Sequence, residues 1–163
     1  MSDVENTQQN IEQDPDAKFE KILKNIQEEL TKKQEVWNKQ VATLTTKINC
    51  ELKYTTELSA MAIAQRQLVL EERTHMYYRL YTDLPKLKIT KKKYFEFYST
   101  KYAIRTNSGE KAKLIDADVR YYDAKMDYIQ SHIDFLTETL KSIDHVIYSV
   151  KNKIDLYNAS GLD

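Results

Sequence analysis

Residues 115–157 read IDADVRYYDAKMDYIQSHIDFLTETLKSIDHVIYSVKNKIDLY, and their apolar spacing decides the fold. Ile115, Val119, Tyr122, Met126, Ile129, Ile133, Leu136, Leu140, Ile143, Ile147, Val150, Ile154 and Tyr157 follow one another in alternating steps of four and three, without exception. On a helix such a row forms one stripe, and six heptads of it read as a coiled-coil seam. Isoleucine recurs at both seam positions, a choice that in parallel coils leans toward trimers or larger assemblies. Leu114, Tyr121, Tyr128 and Phe135 add a second apolar row on one flank. A helix with so wide an apolar face needs more than one neighbour. The expectation is a helical hairpin that oligomerises along this seam.

The rest of the chain agrees with long helices. Its 163 residues include two glycines, Gly109 and Gly161, and two prolines, Pro15 and Pro85, where ordinary usage would supply about 11 and 8. Sheets closed by tight turns, and the glycine-rich cradles of nucleotide enzymes, need residues mostly missing here. The fold class is therefore all-α, a helical hairpin and coiled-coil bundle. Residues 17–84 contain neither proline nor glycine and are rich in Lys, Glu, Gln, Leu and Ala, so they read as one long helix. Within it Phe19, Leu30, Val41, Leu52 and Ile63 recur every 11 residues, as do Ile26, Trp37 and Ile48, a period suited to a straight or right-handed bundle. Pro85 is expected to end this helix and open the next, because proline disfavours helical geometry at Leu84. Residues 106–110, TNSGE, form the clearest loop. Residues 85–163 thus hold a basic-aromatic helix, that loop and the seam helix, in one structural unit with 17–84.

Residues 1–16 carry Asp3, Glu5, Glu12, Asp14 and Asp16 and no lysine or arginine. With Val4 and Ile11 as their only large apolar side chains, they read as a disordered acidic tail, opposite in charge to a signal or transit peptide. No run of 18 apolar residues occurs, and the single cysteine, Cys50, permits no disulfide within the chain and suits a reducing compartment. The expectation is a soluble cytoplasmic protein without membrane contact.

Overall charge is uninformative, since 25 basic residues balance 25 acidic ones. Its distribution is not. Between residues 86 and 105 lie Lys86, Lys88, Lys91, Lys92, Lys93, Lys101 and Arg105 against one acid, Glu96. Tyr77, Tyr78, Tyr81, Tyr94, Phe95, Phe97, Tyr98 and Tyr102 crowd the same neighbourhood. Lysines beside exposed rings suit single-stranded nucleic acid, because cations hold phosphates while every base offers a face to stack. Two plainer readings stand beside this one. Tyr94, Tyr98 and Tyr102 lie four apart and suit a packed helix face, and a run of lysines suits a solvated one.

Catalytic patterns are poor. His75, His132 and His145 show no spacing that places two imidazoles on one helix face for a metal, and each reads as a surface or boundary histidine. Asp116, Asp118 and Asp123 fall near the start of the third helix, where carboxylates favour the dipole. No catalytic residue, metal or cofactor is assigned.

The second half resembles the UvsY family of phage recombination mediators. The resemblance covers roughly residues 75–161. It begins at Lys91-Lys92-Lys93-Tyr94-Phe95-Glu96-Phe97-Tyr98-Ser99-Thr100-Lys101 and continues through Ile115-Asp116-Ala117-Asp118, Asp134-Phe135-Leu136, Ser142-Ile143 and Val150-Lys151-Asn152-Lys153-Ile154, closing at Gly161. The chain departs from the family at Thr100, where glycine is common, and at Val146, Ile147 and Tyr148, where an arginine-glycine pair precedes phenylalanine. The resemblance implies a ring-forming helical protein, in the host-cell cytoplasm if phage-encoded, that binds single-stranded DNA. It would help a recombinase replace single-strand-binding protein on that strand, without enzymatic activity or cofactor. By this match Lys91, Lys92, Lys93 and Lys101 contact DNA, with Lys88 and Arg105 beside them and Phe97 and Tyr98 as stacking candidates. Composition alone favours a structural or adaptor coiled coil, a tether or scaffold without DNA.

Overall fold

The computed structural model describes residues 15–101 and 107–161, with side chains from Phe19 onward and without that of Lys101. Among them are three long helices, α1 (Pro15–Thr46), α2 (Thr55–Lys101) and α3 (Ser108–Ser160), with a single 3-10 turn, Leu52–Tyr54, between the first two, and no strand. At about 1.5 Å per residue they run from roughly 50 to 80 Å.

Pro15 occupies the first position of α1, where its fixed φ suits a helix and its missing N–H costs nothing. The helix ends in a threonine-rich turn. Thr43, Thr45 and Thr46 donate their hydroxyls back to the carbonyls of Lys39, Val41 and Thr43, local bonds that compete with helix propagation. Lys47, Ile48 and Cys50 N–H groups then bond three residues back, and the Lys153 ammonium donates to the Cys50 carbonyl. Thr55 restarts the chain, its hydroxyl donating to the Leu52 carbonyl at 2.5 Å. At the start of α3, the Asn107 side chain accepts the Glu110 N–H at 2.9 Å, and Glu110 accepts the Asn107 N–H at 3.2 Å. This capping box satisfies two orphan donors. Gly161, at φ 59°, closes α3 in the left-handed region that glycine adopts freely.

Four boundaries differ from the sequence-based expectation. Residues 17–84 are not one helix: the chain turns over residues 47–54, which separates α1 from α2. α2 instead runs through Pro85. That residue is solvent-exposed, so the ring lies on the outer face and the carbonyl it leaves unbonded can take water. The loop expected at 106–110 has already become helix at Ser108, because the capping box starts α3 there. The acidic tail falls mostly on residues 1–14, outside the described residues; Pro15 and Asp16 belong to α1.

α2 and α3 form an antiparallel hairpin. Residues rising along one pair with residues falling along the other: Arg66 with Asp144 at 2.6 Å, Arg73 with Thr137 at 3.5 Å, Asp83 with Lys125 at 2.5 Å and Lys91 with Asp116 at 3.4 Å. α1 lies along the hairpin, parallel to α3. Phe19 stacks on Tyr121 with centroids 5.2 Å apart, and Val41 joins Tyr128 and Phe135 at the edge of the core. The second apolar row of α3 is therefore the bed of α1.

The core joins Ile26, Leu30, Trp37 and Leu44 of α1, Leu58, Ala62, Val69, Met76 and Leu80 of α2, and Ile129, Ile133, Leu136, Leu140, Ile143, Val146 and Val150 of α3. Of the twelve residues from Ile115 to Ile154 assigned to an oligomer seam, eight are buried within this single chain; Tyr122, Met126, Ile147 and Ile154 are half-buried. Their burial is intramolecular, because α1 and α2 supply both neighbours that the wide face requires. The isoleucine-rich pattern thus reports a broad buried face and no subunit number. The 11-residue rows hold within α1 but fail past the turn, where Ile63 is 55% exposed.

Candidate nucleic-acid interface

The basic stretch forms the last turns of α2, where Leu87 is the one buried residue among 85–100. The lysines divide by orientation. Lys91 is turned inward, bridging Asp116 at 3.4 Å and Asp123 at 3.6 Å on α3. Lys86 pairs with Asp83 at 3.4 Å. Burial alone would raise the Asp83 pKa, but the Lys125 hydrogen bond and charge, with Lys86 beside them, hold it below the usual range. Lys92 reaches Glu96 only at 3.9 Å and stays open to solvent. Lys88 and Lys93 are exposed. α2 ends at Lys101; the side chain of Lys101, and all of Tyr102 and Arg105, lie outside the described residues.

The aromatic residues divide in the same way. Tyr94 and Tyr98 stack at 6.4 Å on the half-buried side, and the Tyr98 hydroxyl donates to Asp118 at 2.6 Å. Tyr98 thereby ties the end of α2 to α3. The three aspartates, Asp116, Asp118 and Asp123, lie beyond the first turn of α3 and hold Lys91 and Tyr98 across the hairpin. Phe97, edge-on to Tyr98 at 5.4 Å, keeps about half its surface exposed.

The open rings and open lysines fall together. Tyr77, Tyr81, Lys88, Lys92 and Phe95 follow at steps of 4, 7, 4 and 3, which places them on one side of α2 over roughly 27 Å of its length. Tyr77 and Tyr81 stack at 6.2 Å, and both, with Phe95, are exposed. Arg79, which pairs with Glu29 of α1 at 3.5 Å, points about 160° away from Tyr81 around the helix. The row therefore faces away from α1. Lysines spaced between rings on one face can neutralise phosphates while bases lie against the rings.

A second constellation sits in the core. His132 is fully buried, not at the surface, and its Nε2 lies 3.0 Å from Glu72 Oε1 while its Nδ1 lies 3.5 Å from the Gln34 amide. Trp37 Nε1 donates to Glu72 at 2.7 Å, and Lys33 approaches it at 3.4 Å. Burial would raise the Glu72 pKa, but bonds from His132 and Trp37 and the charge of Lys33 together hold it below the usual range. The signal was the heptad row Val146, Thr139, His132, which continues buried positions toward the N-terminus of α3. His75 and His145 are exposed.

Among the described residues no group of three or more His, Cys, Asp or Glu side chains is placed to hold a metal ion. None of the described helices is long and apolar enough to cross a membrane. No family model matches the chain, and neither a curated protein nor a solved structure matches it.

Proposed function

We propose that this protein binds single-stranded DNA along the Tyr77, Tyr81, Lys88, Lys92 and Phe95 face of α2, and that it serves as a recombination mediator. The observation that carries the reading is the pair of exposed lysines, Lys88 and Lys92, set between exposed rings on one helix face. Duplex binding would need the cations without the rings, whereas unstacked bases need both. The mediator role follows from the resemblance of residues 75–161 to the UvsY family. In that role several copies, arranged as a ring, hold a strand at many points and help a recombinase displace single-strand-binding protein from it. Repetition of one weak site raises avidity without new contacts. The activity is binding and handover, with no bond made or broken in the DNA and no cofactor.

The second reading, a tether or scaffold, draws on the ion pairs of Lys86 and Lys91. These lysines already serve the hairpin, which lowers the charge left for phosphates.

Equilibrium binding to labelled single-stranded and duplex DNA of equal length, across a salt series, separates the two. The mediator reading expects preference for the single strand, with log affinity falling linearly in log salt by about 0.7 per phosphate neutralised. Absence of binding at low salt would favour the scaffold.

A further inference from the structure

His75, Tyr78, Thr82, Lys86, Ile89 and Lys93 follow at steps of 3, 4, 4, 3 and 4 along α2 and share one side of it. That side is turned toward α1, roughly a third of a turn around the helix from Tyr77, Tyr81, Lys88, Lys92 and Phe95. Arg79 fixes the direction. It pairs with Glu29 of α1 at 3.5 Å, and Lys86 and Lys93 repeat its position at intervals of seven. α1 and α2 are antiparallel, so seven residues on from that pair Ile22 of α1 comes level with Lys86.

The two helices leave a groove there. One hollow of about 180 Å³ is lined by Phe19, Ile22, Leu23, Tyr121, Tyr122 and Lys125, and a second of about 260 Å³ by His75, Tyr78, Arg79, Thr82, Asp83 and Lys125. They share Lys125 of α3 as their floor. Along the rims Ile22, Tyr78 and Ile89 are exposed. Both acids in the groove are already matched: Asp83 lies 2.5 Å from Lys125 and 3.4 Å from Lys86, and Glu29 lies 3.5 Å from Lys33 and from Arg79. Lys93 is exposed and makes no ion pair among the described residues. The groove therefore carries apolar rims and a surplus of positive charge. Its isoleucines, beside the lysines, offer no ring face to a base but suit the aliphatic side chains of a peptide.

We propose that this α1–α2 groove is a docking surface for an acidic amphipathic helix of a partner protein. Its apolar side chains enter between Ile22 and Ile89 and beside Tyr78, and its carboxylates meet Lys86 and Lys93. Helix-in-groove recognition of this kind uses anchors at i, i+3, i+4 and i+7. From Ile89 back to His75 α2 rises roughly 21 Å, the length of about 14 helical residues. The surface lies apart from the single-strand face and does not depend on that reading. A strand and a partner helix can be held at the same time.

The probe is a fluorescein-labelled peptide stapled into a helix, about 16 residues long, with leucines at i, i+3, i+4 and i+7 and Glu and Asp between them. Fluorescence anisotropy on the full chain should show it binding at low salt. The variant Lys86→Glu, Lys93→Glu should weaken binding by about tenfold or more, and Ile89→Asn by about tenfold, with melting points unchanged because all three side chains are exposed. A peptide of the same charge with its leucines scattered around the helix should bind at least about tenfold more weakly. Excess oligothymidylate should not displace the probe. No binding at low salt, equal binding of the scattered peptide, or undiminished binding to the variants overturns the proposal. Displacement by oligothymidylate overturns it by giving these lysines to nucleic acid. A lower sedimenting mass of Lys86→Glu, Lys93→Glu overturns it by making the groove a contact between copies of the chain.

Discussion

Glu72 is held by side chains from both other helices, whereas Lys91 is held by one. Around Glu72, Trp37 and Lys33 of α1 and His132 of α3 close on a carboxylate that is 17% exposed, with the imidazole completely buried. Around Lys91, the side chain is 38% exposed and its partner Asp116 67%. The first arrangement places polar groups where losing a partner leaves another buried and unsatisfied, which costs stability. The second keeps its ion pair in solvent, where pairs are worth about 0–1 kcal/mol. The difference separates the labour along the hairpin. Its covered part determines whether the chain folds, and its end can exchange partners without unfolding.

The strongest way to break this division is to charge the covered part. Ile133 is buried among all three helices, so Ile133→Asp should cost about 3 kcal/mol or more by leaving a carboxylate without a partner. The helical circular dichroism signal should then melt at much lower temperature. A variant that kept its melting point would deny the intramolecular core.

Glu72→Gln is a milder probe, expected to cost about 1–3 kcal/mol in urea unfolding. It also changes the acid response. The folded Glu72 carboxyl lies below its ordinary 4.5, so the unfolded chain binds more protons as pH falls between the two values. The resulting stability is present above pH 4.5 and lost as pH drops through the folded value. Unfolding midpoints measured down from pH 6 should therefore fall less in Glu72→Gln than in wild type. Parallel curves would count against the node.

At the other region, Phe95→Ala should leave the melting point nearly unchanged and weaken single-strand binding by about 1–3 kcal/mol if one base stacks there. Duplex affinity should not follow. Lys91→Ala gives the smallest effect, at most about 1 kcal/mol of stability, and should reduce the DNA salt slope less than Lys92→Ala does.

Legibility in the sequence followed the chemistry of each seam. α3 is apolar at nearly every inward position, so its stripe and the need for two neighbours could be read directly. α2 presents Leu58, Ala62, Val69, Met76, Leu80 and Leu87 inward, yet Gln65, Glu72, Asp83 and Lys91 also lie on its partly buried side. Those polar residues hid its period and the node at Glu72. The turn at 47–54 was hidden for another reason: threonine hydroxyls and a lysine from α3 make it, with no glycine or proline to announce it. In the candidate site, the mixture of lysines and rings was legible from composition. Which of them face outward depends on the hairpin register. That register turns Lys91 and Tyr98 toward α3 and leaves Lys88, Lys92 and Phe95 open.

The most direct test compares wild type with Lys88→Ala, Lys92→Ala, Phe95→Ala combined, reading single-strand affinity by fluorescence anisotropy and thermal unfolding on the same samples. The account expects binding to fall by at least about thirtyfold, from one lost stack and two lost phosphate contacts, with the melting point unchanged. Undiminished binding, with the fold intact, would contradict it.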